Sequence, residues 1–411
     1  MKMRLMSAFL FFFLFVIVSG SISYIYLIWT NYWLRISSLE MTNRMNKPRH
    51  VLDRVNHEKS HRKPRYDSPR QLPVGNQPAP RPRPKYKSKE EKILPGRKLS
   101  VSELPKDKLY AHIKVYKEQI YAQLRNTVLD AGKQVQSESF PNAYNVTYSG
   151  RYGENDIKLS PREILCSAKK HLNIRTFTRE NKMFKKLKLE RFFPKNEFLE
   201  KRHFNSCAVV TSAGSLRNSN LGSFIDSHEV VLRFNNAPTG GEYLKDVGRK
   251  TSIRVVNSQV VAKPQFKFLE SKIYSKSAVL VWDPSAYNSS TEDWYNKPDW
   301  PFFEQFFSKR LMQPEDSMYL LNPDSLWSMW NWLQSLTPVP LLPTPPSSGF
   351  LGLLLLLDHC SVLHVLEYIP SMRLTKRCHY YDTEENLGCT LGDWHPLSAE
   401  KLLALRLHTG F

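Results

Sequence analysis

Three short apolar runs in this 411-residue chain stop on small polar residues: Ser212 to Ser215 after one, Asn235 and Asn236 after the next, Asn257 to Gln259 after the third. Ser212 and Gly214 form a small-residue turn that lets a ligand approach backbone N–H groups, a common start for a nucleotide site. A single asparagine in such a place is more often a turn residue than a ligand. The threefold repetition of the placement favours a site. Further on, Ser347, Ser348 and Gly349 stand before an apolar run, where hydroxyls and helix N-terminal N–H groups can meet an anion; alone this is weak, because serine is an ordinary cap.

The elements that must position these residues follow from pattern. Cys207 to Thr211, Val230 to Phe234, Ser252 to Val256, Ala278 to Trp282, Met318 to Leu321 and Val362 to Tyr368 read as strands. Between them, the chain from Leu221 looks helical, Asp324 and Ser325 can cap a helix through Trp332, and Phe350 to Cys360 is too short to span a membrane and reads as a buried helix. Alternating strands and helices predict an open α/β sheet, with Ser212, Asn235 and Asn257 at its carboxyl edge, where such sheets bind ligands.

The segments AVVTSAGSL (208–216), IDSHEVVLRFNNAPT (225–239), DVGRKTSIR (246–254) and NSQ (257–259) together resemble the long sialyl motif of the animal sialyltransferases. PPSSGFLG (345–352) resembles the short motif of that family, HYYD (379–382) its third motif, and His395 with Glu400 its His-x4-Glu motif. VWDPS (281–285) and Trp294-Tyr295 make the β-galactoside α-2,6 branch the most similar. The resemblance implies a Rossmann-like sheet flanked by helices, a GT-A-like variant. It also implies transfer of sialic acid from CMP-sialic acid to the 6-hydroxyl of a terminal galactose of Gal-β-1,4-GlcNAc type, with inversion and without a metal. Ser212, Gly214, Asn235, Asn257, Ser347, Ser348, Gly349 and His379 would hold the donor. Gln259, Asp299 and Trp394 would face the acceptor, and His395 would be the base, since imidazole is suited to take a hydroxyl proton near neutrality. Disulfides Cys207–Cys360 and Cys378–Cys389 are implied, with Cys166 unpaired. The chain contains no Asp-x-Asp, so the usual metal clamp of nucleotide-sugar transferases has no obvious ligands.

The remaining chain places this domain. Residues 1–4 read as a cytosolic tail and 5–29 as a signal-anchor, free of charged residues and long enough for a hydrocarbon core of ~30 Å; a cleaved signal peptide is the competing reading. Asn145 and Asn288 begin N-glycosylation acceptors, which require a lumenal body. A single-pass type II protein of the Golgi membrane is the expectation. Residues 30–139 read as a disordered stem rich in Pro, Lys and Arg, with a helix expected at 106–136 through which a homodimer can form. Residues 140–411 are the expected catalytic domain, shortened at its C-terminus relative to the resemblance. Arg175 to Lys201 reads as a solvated basic surface. The net charge of +21 invites a nucleic-acid reading, but much of it sits in the stem, and no nucleic-acid-binding signature accompanies it. An inactive glycan- or CMP-binding protein and a transferase of α-2,3 or α-2,8 linkage are the alternatives.

Overall fold

The structure is a computed structural model describing residues 106–153, 159–371, 375–386, 389, 392 and 394–408. The expected tail, the anchor and the stem up to residue 105 lie outside the described residues. Among the described residues no helix is long and apolar enough to cross a membrane.

Six strands form one parallel sheet among the described residues: β1 (Phe204–Val210), β2 (Val230–Phe234), β3 (Ile253–Asn257), β4 (Ala278–Trp282), β5 (Met318–Leu320) and β6 (Cys360–Leu366), in the order β5-β4-β3-β2-β1-β6. The strands β2 to β4 are near-continuous apolar runs, as strands covered on both faces must be. The chain walks outward from β1 to β5, then returns to lay β6 on the other side of β1, with Phe204 opposite Cys360 and Val210 opposite Leu366. That reversal makes the carboxyl ends of β1 and β6 the switch point of the sheet, the crevice that open α/β folds leave for a ligand. The Cys207–Cys360 disulfide fastens the same two strands.

The longer helices are α1 (Lys106–Gln136), α2 (Pro161–His171), α4 (Phe303–Met312), α5 (Asp324–Ser335), α6 (Ser348–Leu357) and α7 (Leu397–Leu407); the short α3 (Ser258–Ala262) follows β3 directly. Leucines occupy α6 on all sides, and Leu351, Leu354 and Leu356 are buried against Leu232, Phe234 and Val255 of the sheet. Each such side chain contributes about 1.5–3 kcal/mol by leaving water. The opposite face packs Ala208, Val210 and Val231 on Leu216, Ile225 and Tyr380.

Two local expectations change. The segment 175–201 is not simply a solvated surface: Phe177, Phe184, Phe192 and Phe193 are buried, and they pack with Trp294, Phe306 and Phe307 while the lysines between them face outward. Asp324 opens α5 without a side-chain cap; Pro323 occupies the cap position. The expected helix at 106–136 is present with those bounds, and it packs along α7, burying Ile120, Leu124 and Val128.

Candidate active site

A cleft of about 290 Å³ opens at the switch point, lined by the turn after β1, the N-terminus of α6, the segment after β6 and the His395 loop. It gathers Ser212, Gly214, Ser347, Ser348, Gly349, His379, Trp394 and His395. Gly214 lies against the chain just before the HYYD segment: a Cβ there would lie 2.5 Å from the Arg377 carbonyl. Ala213 bridges His379, and the Tyr380 N–H donates to the Ser212 carbonyl at 3.1 Å. The Cys378–Cys389 disulfide closes the segment behind them. Both disulfides therefore join the pairs that the resemblance implies, and Cys166 is free and exposed.

Glu400 organises the far wall. It is fully buried, and it accepts the Ser347 N–H at 2.8 Å, the Ser347 hydroxyl at 2.6 Å and the Tyr368 hydroxyl at 2.8 Å. Ser347 Oγ in turn accepts the Phe350 N–H and caps α6. The serine is thus committed to the fold, and Ser348 and Gly349 are the partly open residues of that helix start. Ser348 Oγ accepts the Trp282 indole N–H at 3.1 Å. Burial, then the Glu400 charge, holds the Tyr368 hydroxyl well above its ordinary pKa, so it stays a neutral donor. Beside it Lys401 is buried, and its ammonium is pushed down to about 8 by burial, against the opposing pull of Glu400.

His395 Nδ1 lies 2.7 Å from the Pro345 carbonyl. A carbonyl can only accept, so Nδ1 carries a proton and the neutral ring has its basic lone pair on Nε2. His379 Nδ1 is held by Asp382 Oδ2 at 2.6 Å, with the ring stacked on Tyr381. His379, Asp382 and Glu384 bring one potential ligand atom each within 4.8 Å of the others.

Asn235, Asn257, Gln259 and Asp299 do not line this cleft. Asn235 sits in the left-handed region (φ 47°), and its side-chain oxygen accepts the Asn257 N–H at 3.1 Å; the Asn257 oxygen accepts the Val260 N–H and caps α3. Each carboxamide oxygen accepts a backbone N–H, so both side chains help to hold the ends of β2 and β3. Asp299 accepts from the Tyr144 hydroxyl at 3.3 Å, and its N–H donates to Asp283 at the end of β4. Asn145 and Asn288 are exposed in turns. Sequence reasoning does not reach Glu367, Tyr368 or Lys401, which also line the cleft. The first two end β6 as Ser212 ends β1, so the strand-end argument could have found them; a lysine in a helix carries no such signal.

A parallel sheet with a strand-end cleft, lined by a helix N-terminus and by the His395 imidazole, defines an α/β protein of the open-sheet class. The chain belongs to glycosyltransferase family 29, the sialyltransferases, whose sequence profile matches residues 153–410. It is 41% identical over 271 residues to a beta-galactoside alpha-2,6-sialyltransferase 2 of Xenopus tropicalis, covering 66% of this chain and 52% of that one. The protein of the same name from Homo sapiens is 42% identical over 260 residues, covering 63% and 49%. The chain thus spans about half the length of the curated relatives it matches. A solved mammalian sialyltransferase overlays with a TM-score of 0.37 at 18% identity, covering 65% of this chain and 88% of that one.

Proposed function

We propose that the cleft binds CMP-sialic acid and that the protein transfers the sialic acid to the 6-hydroxyl of a terminal galactose on glycoproteins or oligosaccharides. The observation that carries this reading is the His395–Pro345 bond, which leaves the basic Nε2 available on the rim of a cleft whose other wall is a helix N-terminus. Family membership and the similarity to α-2,6 enzymes support the substrates and the linkage. In the reaction His395 Nε2 takes the proton of the galactose hydroxyl as its oxygen attacks the anomeric carbon. The bond to the CMP phosphate oxygen breaks on the opposite face, with inversion. Charge growing on the departing phosphate is met by the α6 N-terminus with Ser348 and Gly349, and by His379, donors already fixed before the reaction. Ser212 and Gly214 take the nucleotide side, and Asn235 and Asn257, which do not line the cleft itself, meet the part of the donor that extends beyond it. Trp394, Gln259 and Asp299 address the acceptor. No metal enters this scheme.

The protein's proposed setting is the Golgi membrane, with residues 5–29 as anchor and the domain lumenal, carrying glycans on Asn145 and Asn288. The test is transfer from CMP-sialic acid to N-acetyllactosamine with and without EDTA, with linkage analysis of the product. Metal-independent α-2,6 product supports the reading. Product of another linkage, or CMP binding without turnover, overturns it.

A further inference from the structure

The helix α1 precedes the region matched to the family, yet it touches two of the segments that line the cleft. Tyr116 donates its hydroxyl to the backbone carbonyls of Ser371 (2.8 Å) and Pro370 (3.1 Å), both of which line the cleft. Ser371 is part of a turn closed by its own N–H on Glu367 Oε2 at 3.3 Å, and the same carboxylate oxygen accepts the Ser215 hydroxyl at 2.7 Å. Glu367 itself sits in the left-handed region (φ 55°), a conformation costly for a non-glycine residue and held here by its contacts. One continuous set of hydrogen bonds therefore runs from α1 through the turn after β6 to the turn after β1. About three to four turns further along the same helix, Val128 and Ala131 share a small cavity with His395 and Leu397. The docking is close: a Cβ on Gly132 would fall 2.6 Å from the Val339 side chain.

We propose that Tyr116 is a positioning residue for the donor site, and that α1 is a working support behind the segments lining that site rather than a spacer in front of it. The inference rests on the reading of the cleft as a CMP-sialic acid site. Burial first, then the Glu367 charge, raises the Tyr116 hydroxyl above its ordinary pKa, so the clamp stays protonated across the working pH range. Removing the hydroxyl takes one donor from the Pro370 and Ser371 carbonyls and loosens the turn, without opening a cavity.

The test compares the full chain with its Tyr116→Phe variant by titration with CMP and by amide hydrogen exchange. Roughly three- to tenfold weaker CMP binding is expected, at a temperature well below unfolding, together with faster exchange at the amides of Glu367, Tyr368 and Ser371. A purely structural role would lower the melting temperature and leave the affinity alone. Equal affinity for CMP, or equal exchange at those amides, overturns the proposal. A wild-type chain without affinity for CMP instead overturns the functional reading, and the exchange comparison then decides the role of α1 by itself.

Discussion

Glu400 accepts both the N–H and the hydroxyl of Ser347, 53 positions earlier in the chain. The carboxylate of the His-x4-Glu segment is in this way bonded to the serine of the PPSSG segment, and the imidazole five residues before it donates to Pro345 of that same segment. The two segments form one rigid unit across the cleft. Glu400→Gln keeps the shape but removes the charge that three donors address, and charge-assisted hydrogen bonds are worth about 1.5–3 kcal/mol each. A loss of ~2–3 kcal/mol in urea unfolding is expected, with CMP affinity weakened as α6 shifts. Unchanged stability would mean that the carboxylate is not bound as described.

His395→Ala should leave CMP binding within about twofold and lower transfer by about 10²–10⁴, the range for a general base. Single-turnover transfer beside equilibrium CMP binding separates the two effects. Parallel loss of both would reassign His395 from base to donor contact.

Asp283 supplies a prediction in pH. It is fully buried at the end of β4 and accepts from the Trp294 indole and the Asp299 N–H. Burial pushes its carboxyl up to about 7, against the lowering effect of Ser258, the Asp299 N–H and Trp294. The folded state then holds a proton that the unfolded chain gives up near pH 4, so this group's stabilising contribution is complete below pH 4 and falls as pH rises to about 7. Asp283→Asn, a neutral isostere, should flatten that slope in thermal melts between pH 4 and 7 and match or exceed wild type at pH 8. A slope of wild-type size in the variant would rule the assignment out.

The two disulfides differ in reach. On loop entropy alone, the 153-residue loop of Cys207–Cys360 is worth about 5 kcal/mol and the 11-residue loop of Cys378–Cys389 about 3 kcal/mol. Paired Cys→Ser variants should reproduce that order in melting temperature. The 378/389 pair should also weaken CMP binding, because that bond closes the segment carrying His379.

Phe193 is fully buried among Phe177, Phe184 and Phe306. Phe193→Ala should cost about 3–5 kcal/mol in denaturant unfolding, whereas Lys195→Ala two residues on should change it by less than about 0.5 kcal/mol.

The contrast between those two residues shows where sequence reading ran out. Composition makes 175–201 look solvated, because lysine and arginine dominate the count; phenylalanines at irregular spacing carry no period, and only their partners Trp294 and Phe306 reveal the cluster. Strand positions were legible, since Val230 to Phe234 and Ala278 to Trp282 are apolar runs between breakers. The side of β1 on which β6 lies was not, because nothing local to Cys360 through Leu366 encodes a neighbour 150 residues away. That single placement moved the cleft toward Glu367 and Tyr368 and away from Asn235 and Asn257, whose oxygens cap the backbone. Ser347 and Ser348 were legible as a helix start and gained weight from the resemblance, through which His395 was found; their chemistry became readable once Pro345 and Glu400 were seen as partners.

The bond between the first and last strands of the sheet also sets an order of events during synthesis. Cys207 leaves the ribosome 153 residues ahead of Cys360, a wait of roughly 8–30 s at ordinary elongation rates. Cys166, exposed in the finished fold, is the one other thiol already made during that interval. In an oxidising compartment Cys166 is the thiol available to Cys207 during that wait, and a Cys166–Cys207 link would have to be broken before Cys207 could fasten β6 to β1.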